Sequence, residues 1–432
     1  MRRAIGAAFL FSFTLCLAAM EARAQNPRGS EIRVSSETLG EQMQPDVATA
    51  ADGSFVVVWR EGNQVPPAQE PVSVMARLYD AAGRPRGEAI LVARHQPTYW
   101  ARPAVGMAAN GSFVVVWTGG LEEVGLGRRF DANGNPLGRE FRLARDLAGG
   151  QEQPDVEVAP DGSFIAVWTQ QVEGEFEVNT DVFYRRFARN GRPRGPEAVA
   201  LGGNEEQSAP RVTFRPDGSF IVTGSDYNGE GEFFDVVARL FSRTGQPLGD
   251  QFQVNEGPIT ESSQYDPDVA AIADGRFAIV WTDRVADFER GDPDWTSDDD
   301  FTGIAVRFYA ADGTPHGPTR LVNTYLLGRQ ESPAIAALPG GGFRIVWSSG
   351  GAQDGFGFGI YSQVFSADGE PLRPRERGIN LLQVGDQYSP ALAMARNGRG
   401  AIVWVSVVPD ESGRTEIVAR RLGRQTTGAG GE

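Results

Sequence analysis

Short apolar runs alternate with turn signals along the whole chain, and one such unit occurs seven times. The first copy, from Asp52 to Trp59, is DGSFVVVW. Its Asp-Gly pair accepts the positive φ of a tight hairpin, and the strand that follows is apolar at every position, so both of its faces must be covered. The later copies begin at Asn110, Asp161, Asp217, Asp274, Gly341 and Asn397. We therefore interpret the motif as a repeated turn and core strand, with Phe55 and Trp59 as packing residues rather than parts of an active-site loop.

A proline precedes each copy and sets a period near 57 residues. The seven prolines are Pro45, Pro103, Pro154, Pro210, Pro267, Pro333 and Pro390. A glutamine stands three residues before six of them, at Gln42, Gln151, Gln207, Gln264, Gln330 and Gln387, and Trp100 takes that place in the second repeat. Internal repeats of this length override the two or three domains that the chain length alone would suggest.

Each unit is predicted to contain four short strands. In the first unit these are Asp46–Thr49, Phe55–Trp59, Val74–Tyr79 and Ala89–Ala93, separated by Gly/Pro turns. No segment after the first 24 residues has a sustained helical period. Seven four-stranded sheets that are buried on both faces predict an all-β fold, a single seven-bladed β-propeller.

The two ends of the chain predict how the ring closes. The last unit has only three strands and ends with Glu416–Leu422. The segment SEIRVSSE, from Ser30 to Glu37, matches a fourth strand and precedes the first proline. We expect the N-terminal strand to complete the last blade.

The first 24 residues have the pattern of a cleaved signal peptide. Arg2 and Arg3 precede an apolar run, and Ala22-Arg23-Ala24 is a small-x-small cleavage site. We expect residues 25–425 to form the propeller and residues 426–432 to form a disordered tail. The mature chain is then an exported monomer, periplasmic or extracellular, without membrane insertion. Cys16 is the only cysteine, so disulfides are excluded from the mature protein.

The charge of the chain limits its partners. The formal net charge is −15, and removal of the basic signal segment makes the mature chain more acidic. This argues against nucleic acid and anionic membrane surfaces as partners. It favours a cation or a positively charged partner, although acidity also serves solubility alone.

In propellers, the loops from the second to the third strand of each blade share a face with the loops from the fourth strand to the next blade. Acidic residues are frequent in these loops, and we expect this acidic face to bind a ligand, with the candidate residues Trp100, Glu175, Glu177, Glu230 and Glu232.

The fifth repeat carries the longest and most acidic loop. Its carboxylates are candidate oxygen ligands for Ca²⁺, namely Asp292, Asp294, Asp298 and Asp300. The spacing departs from the helix-loop-helix calcium pattern, because Ser297 stands where that pattern has glycine and no glutamate closes the loop. A solvated acidic loop is the alternative.

The loop before Pro103 holds a second unusual group. His95, Tyr99 and Arg102 could serve acid–base chemistry on an acidic polysaccharide, and Trp100 could stack on a sugar. In the alternative interpretation Trp100 packs between blades and His95 is merely exposed. With two histidines and no mature cysteine, zinc is not expected.

The sixth repeat carries a resemblance to a known class of repeats. From Gly340 to Pro371 it reads GGGFRIVWSSGGAQDGFGFGIYSQVFSADGEP, which resembles a repeat common in exported bacterial proteins. The resemblance implies a propeller in a secreted or surface protein, and some such proteins are adhesive or associated with calcium. The glycine-rich nonapeptide calcium repeats that often accompany it are absent here. It implies a fold and supplies no catalytic residues.

From these features we expect a non-enzymatic recognition or scaffold protein. It would bind a protein or glycan through the acidic face, with calcium as an optional aid. The alternative is a polysaccharide lyase or hydrolase with its site at the mouth of the central channel. An enzyme should bring acid–base groups together in one pocket, whereas a scaffold should leave them scattered over a flat rim.

Overall fold

The computed structural model describes residues 31–35, 41–62, 72–95, 102–120, 123–145, 149–173, 178–203, 206–227, 233–255, 263–284, 302–351, 353, 355, 357–409 and 413–423. These residues form 28 β-strands in seven four-stranded sheets, and they contain no helix. A helical segment with the length and hydrophobicity needed to cross a bilayer is accordingly not found in this part of the chain.

Six of the blades are continuous in sequence. Blade 1 contains β2 (Gln42–Thr49), β3 (Phe55–Glu61), β4 (Val72–Tyr79) and β5 (Ile90–His95), and blade 2 contains β6 (Ala104–Met107), β7 (Phe113–Gly119), β8 (Val124–Phe130) and β9 (Phe141–Arg142). Blade 3 contains β10 (Gln151–Val158), β11 (Phe164–Glu173), β12 (Val178–Phe187) and β13 (Ala198–Leu201), and blade 4 contains β14 (Gln207–Phe214), β15 (Phe220–Tyr227), β16 (Phe234–Phe241) and β17 (Phe252–Gln253). Blade 5 contains β18 (Gln264–Ala271), β19 (Phe277–Asp283), β20 (Gly303–Tyr309) and β21 (Arg320–Leu321), and blade 6 contains β22 (Gln330–Ala337), β23 (Phe343–Ser349), β24 (Gly359–Phe365) and β25 (Arg377–Gly378).

Blade 7 joins the two ends of the described chain, as predicted. It contains β26 (Gln387–Met394), β27 (Gly400–Val407), β28 (Thr415–Leu422) and the N-terminal β1 (Glu31–Arg33), in the order β1-β28-β27-β26. Beyond β1, the Val34 amide donates to the Ile417 carbonyl at 2.8 Å, and Ser35 Oγ accepts from the Ile417 amide at 3.1 Å. In blade 5 the Val322 amide and Asn323 Oδ1 make the same two bonds with Ile304. The closing strand therefore occupies the place of an ordinary fourth strand, and the all-β, seven-bladed propeller is confirmed.

The first inner strand begins earlier than the sequence predicted. We expected the first to start at Asp46, whereas β2 starts at Gln42 and passes through Pro45. The pairing between β2 and β3 has a bulge between Met43 and Asp46. Proline has no amide proton to give to a ladder, and the bulge accommodates it within the strand.

The Asp-Gly motif forms the turn that its sequence predicts. Gly53 has φ 87°, a conformation that glycine adopts without steric cost. Asp52 Oδ1 accepts hydrogen bonds from the Ser54 amide at 2.8 Å and from Ser54 Oγ at 2.6 Å. These bonds fix the hairpin between β2 and β3.

The core lies between the blades. Seven apolar clusters each combine side chains of two neighbouring blades. The recurring tryptophans are fully buried in them, as predicted, at Trp59, Trp117, Trp168, Trp281, Trp347 and Trp404. In blade 4 the position holds Gly224, and a Cβ there would lie 3.0 Å from Leu201 Cδ1. Leu201 thus fills space next to the position where the other six blades have tryptophan.

Candidate functional site

The seven inner strands surround a central cavity of about 840 Å³. Its lining extends from Gln44 and Arg102, just before the inner strands' prolines, to Pro160 and Pro339 in the hairpin turns at the other end. The cavity is therefore a channel that follows the whole length of the inner strands. We call the end formed by the residues that precede the seven prolines the mouth; these residues are Gln44, Arg102, Gln153, Ala209, Asp266, Ser332 and Ser389.

The backbone at the mouth is strained in a regular way. All of these residues except Arg102 have positive φ, between 48° and 55°. Residues with side chains rarely adopt this left-handed region, and each of the six positions coincides with a bulge in the pairing of the inner strand. Bulges of this kind redirect side chains, and they are frequent next to functional sites.

Three aspartates that directly follow a proline join neighbouring blades at the channel. Asp46 Oδ2 accepts from the Val105 amide at 2.7 Å. In the same way, Asp155 Oδ2 accepts from the Val212 amide at 2.9 Å, and Asp268 Oδ2 accepts from the Ile335 amide at 2.8 Å. Each bond links an odd-numbered blade to the next one. These carboxyl groups are structural parts of the inner wall.

Burial raises the pKa of three carboxyl groups in the channel wall, Asp46, Asp268 and Glu157. Burial raises the pKa of Asp46 to about 7 and that of Asp268 to about 6, against hydrogen bonds from backbone amides that lower both values. Burial, followed by repulsion from Asp155 and the other two aspartates, raises the pKa of Glu157 to about 8. Glu157 is half-buried at the channel wall, and it is mostly protonated at pH 7.

Two arginines lie in the same channel. Arg102 belongs to the mouth, and Arg211 follows the proline of blade 4 in the position that holds an aspartate in blades 1, 3 and 5. The positive charge of Arg211 is the largest cause that lowers the pKa of Arg102 to about 10, with burial second. The Asp266, Asp46 and Asp155 carboxylates oppose this shift. The two guanidinium groups are therefore close enough to repel each other.

A pair of glutamates lies on the mouth side of the ring. Glu152 immediately precedes the mouth residue Gln153, and Glu123 stands between β7 and β8 of the neighbouring blade. Burial, a hydrogen bond with Glu123, and the charges of Glu123 and Glu206 raise the pKa of Glu152 to about 7. Glu152 therefore tends to hold its proton near neutral pH, because two neighbouring carboxylates repel each other.

The backbone of Glu123 is held in an unusual conformation. Its φ of 49° is the only positive value at a described non-glycine residue that does not precede a proline. Its amide donates to the Gly120 carbonyl at 3.2 Å, and its carbonyl accepts from the Gln151 amide at 2.7 Å. The second bond ties Glu123 to the start of β10, next to Glu152, and so positions the pair.

Two tyrosines, Tyr265 and Tyr388, also lie on the mouth side of the ring. Burial and the charges of Asp266 and Glu331 raise the pKa of Tyr265 to about 12. Tyr388 donates from its hydroxyl to Met43 Sδ at 3.4 Å. Both tyrosines occupy the position that Glu152 holds in its own blade, two residues before the proline.

Most of the predicted site residues lie outside the described residues. These are Tyr99, Trp100, Glu175, Glu177, Glu230 and Glu232, together with the proposed calcium ligands Asp292, Asp294, Asp298 and Asp300. His95 ends β5, where it pairs with Val72, but its side chain is also outside the described part. Arg102 alone can be placed, and it lines the channel. In the described part of the chain, no three His, Cys, Asp or Glu side chains are grouped in a way that could hold a metal ion.

The sequence interpretation did not select the channel residues Asp46, Glu157 and Arg211 or the pair formed by Glu123 and Glu152. A signal for the first group was present in the triplet Pro-Asp-Val, which occurs at residues 45–47, 154–156 and 267–269 and becomes Pro-Arg-Val at residues 210–212. The pair had no comparable signal, because Glu123 and Glu152 belong to different repeats and meet only through the packing of two blades.

No protein-family model and no curated protein sequence matches the chain. Solved structures of the same fold do. An α-L-arabinofuranosidase, Arb93A of Fusarium graminearum, matches with a TM-score of 0.52 and 12% identity, over 92% of this chain and 98% of that chain. An α-L-arabinanase of Penicillium chrysogenum, complexed with arabinobiose, matches with a TM-score of 0.53 and 13% identity, over 90% of this chain and 97% of that chain. The polysaccharide lyase Uly1 matches with a TM-score of 0.53 and 10% identity, over 91% of this chain and 92% of that chain.

These neighbours correct the functional expectation. We expected a non-enzymatic recognition or scaffold protein, yet the similar structures include an α-L-arabinofuranosidase, an α-L-arabinanase and a polysaccharide lyase. The comparisons therefore contradict that expectation. At such low identity the likeness itself establishes only the fold. The physical reason for the error is that Glu123 and Glu152 come from separate repeats, so the linear sequence presents them as scattered.

Proposed function

We propose that this protein is a glycan-acting enzyme, a glycoside hydrolase whose site is the mouth of the channel. The observation that carries the proposal is the pair formed by Glu152 and Glu123. Glycoside hydrolysis needs a carboxylic acid that still holds its proton at the working pH. The pKa of about 7 at Glu152 meets this need, because a general acid works best when its pKa lies near the operating pH.

Each group in the pair has a defined role. Glu152 gives its proton to the glycosidic oxygen as the bond to the anomeric carbon breaks, and water supplies the hydroxyl that replaces the leaving sugar. Glu123 keeps the proton on Glu152 through their hydrogen bond and its own charge. It acts as a positioning residue.

The reaction also needs a second carboxylate that takes a proton from water or attacks the sugar. Asp266 is our candidate for this role. It lines the channel at the mouth, its strained backbone has φ 52°, and its side chain makes no hydrogen bond or ion pair with any described residue. Its carboxylate is therefore open to a ligand in the channel.

The glycan-acting neighbours support the proposal from a second direction, since two of them were solved with an iminosugar or with arabinobiose bound. We also propose that the protein works outside the cytoplasm, on the strength of the signal-peptide pattern of residues 1–24. A polymeric substrate is consistent with such a location.

The test measures new reducing ends released from a panel of plant, algal and bacterial polysaccharides by the purified mature chain. We expect Glu152→Gln to lower kcat by about 10²- to 10⁴-fold, the usual contribution of a general acid. Glu88→Gln is the matched control, because Glu88 is an exposed glutamate in the turn between β4 and β5, on the opposite face. Full activity of Glu152→Gln would show that Glu152 is not the general acid. If no glycan of the panel is cleaved, the enzyme proposal is overturned. Unsaturated products, detected by their ultraviolet absorbance, would show that the protein cleaves by elimination rather than by hydrolysis.

A further inference from the structure

Arg102 and Arg211 depart from the pattern of the repeat. At the position of Arg102 the other blades carry Gln44, Gln153, Ala209, Asp266, Ser332 and Ser389, and at the position of Arg211 they carry Asp46, Ala104, Asp155, Asp268, Ala334 and Ala391. The fold is therefore built six times without a basic residue at either place. Positions that break a structural repeat are expected at functional sites.

Neither arginine forms a hydrogen bond or ion pair with a carboxylate of the described residues, although Asp266, Asp46 and Asp155 attract Arg102, and Asp46 and Asp268 attract Arg211. The one side-chain hydrogen bond of Arg211 runs from Nη1 to the carbonyl of the preceding Pro210, at 2.9 Å. Arg102 makes no side-chain hydrogen bond or ion pair with the described part of the chain. Both arginines nevertheless line the same channel and are close enough to repel each other. Two like charges held together in this way are stabilised by an anion between them.

The nearby carboxylates attract the two arginines electrostatically but accept no hydrogen bond from either guanidinium group. Asp155 and Asp46 each direct one oxygen to the backbone amide of the next blade, at 2.9 and 2.7 Å. Burial also raises the pKa of Asp46 to about 7, so this group is only partly charged at neutral pH. The two guanidinium groups thus keep free donors that face the channel.

We propose that Arg102 and Arg211 together bind the carboxylate of a uronic acid residue, so that the substrate is an acidic glycan. This inference rests on the proposed function, since it names the substrate class of the same channel mouth. Guanidinium groups match carboxylates with paired, charge-assisted hydrogen bonds. A carboxylate on a sugar that enters at the mouth reaches Arg102 first, and Arg211 lies at the next level of the inner wall.

The experiment measures equilibrium binding of fluorescently labelled oligouronates, made of galacturonate, glucuronate, mannuronate or guluronate, by anisotropy. Each probe is paired with its methyl ester, which has the same sugars without the charge. We expect at least one oligouronate to bind at least tenfold more tightly than its ester, and added NaCl to weaken only the acidic probe. Arg102→Gln and Arg211→Gln should each abolish this preference.

Arg192→Gln is the matched control, because Arg192 is an exposed arginine in the turn between β12 and β13. Thermal unfolding confirms that each variant folds, and the wild-type salt dependence tests the inference without any variant. If every oligouronate binds no more tightly than its ester, or if both arginine variants keep the preference, the inference is overturned. Cleavage is assayed separately with Glu152→Gln. An acidic preference in a wild type that cleaves no glycan would mean that the enzyme proposal fails while the arginine site holds, and cleavage without an acidic preference would mean the reverse.

Discussion

At the scale of single residues, the recurring glutamines and the unusual glutamates have different roles. Gln330 Oε1 accepts from Trp347 Nε1 at 3.1 Å, and Gln387 Oε1 accepts from Asn380 Nδ2 at 2.8 Å. These glutamines are fully buried and hold their blades together by satisfying polar groups in the core. Glu152 next to Gln151 follows no such pattern, and its environment instead keeps a proton on a half-buried acid.

Replacing Glu123 should change the pH dependence of catalysis rather than remove it. The hydrogen bond and charge of Glu123 both raise the pKa of Glu152, so Glu123→Gln should lower that pKa toward the value of an ordinary glutamate. The reaction needs Glu152 in its protonated form. As the pH rises, Glu123→Gln should therefore lose activity at a lower pH than the wild type does. The measurement is the pH profile of kcat/KM for wild type and Glu123→Gln. An unchanged alkaline limb would show that Glu123 does not set the protonation of Glu152.

At the scale of the elements, arginines in the third strands tie five of the blades to the preceding blade. In five blades the guanidinium donates to a carbonyl next to or within the outer strand of the preceding blade: Arg77 to Val34, Arg128 to Val92, Arg185 to Leu143, Arg307 to Val254 and Arg420 to Ile379. Blade 4 differs, because Arg239 Nε donates to Gly249 of its own blade at 3.0 Å. These bonds lie at the periphery of the ring and add to the apolar packing between the blades.

The free energy of unfolding should distinguish these two kinds of arginine. Arg307→Met leaves the buried Val254 carbonyl without the donor that lies 2.7 Å away, which should cost about 1–3 kcal/mol. Arg239→Met removes a side chain with a similar position over an aromatic ring, Phe241, but without the bond between blades, and should cost less. Chemical denaturation of both variants measures the difference. Equal losses would mean that packing over the ring, rather than the bond between blades, accounts for the stabilisation.

At the scale of the whole molecule, carboxyl groups with raised pKa values and those with lowered pKa values lie in different parts of the ring. The channel wall carries Asp46, Glu157 and Asp268 with pKa values raised to about 7, 8 and 6 by burial. The hairpin turns on the other face carry Asp52 and its equivalents in blades 3, 4 and 5, whose pKa values are lowered by hydrogen bonds from the turn. The folded ring therefore loses stability at both ends of the pH scale.

We expect the thermal midpoint to be highest at about pH 4, where the two contributions meet, and to fall by several degrees toward pH 8.5. A carboxyl group whose pKa is raised on folding contributes stability that is complete below its unfolded pKa of about 4 and is lost as the pH rises through its folded pKa. The turn aspartates show the opposite sign, because their contribution is lost as the pH falls below about 4. Midpoints of the wild type across this range measure both effects.

Glu157→Gln is the variant that isolates the channel contribution, because the amide is similar in size and does not titrate. Its midpoint should fall less than that of the wild type between pH 5 and pH 8.5. Glu88→Gln, in an exposed turn, should behave as the wild type does. An identical fall in Glu157→Gln and wild type would contradict the assignment of a raised pKa to this residue.

The sequence by itself determined the architecture, for a local physical reason. The Asp-Gly turns, the fully apolar second strands and the seven prolines all act within one repeat, so their spacing predicted seven blades. The segment from Ser30 to Glu37 predicted the closing strand, and β1 pairs with β28 as expected. The start of β2 at Gln42 was not predicted, because a proline inside a strand requires a bulge that only the pairing with β3 reveals.

The tertiary structure alone decided which charged groups meet. Arg102 and Arg211 are separated by two blade repeats, and they come together only because the ring closes around one channel. Glu123 and Glu152 meet because a left-handed backbone at Glu123 is tied to the start of β10. Such contacts depend on the packing of neighbouring blades and on the direction in which bulges turn the side chains. Neither property is encoded in the local pattern of hydrophobic and polar residues.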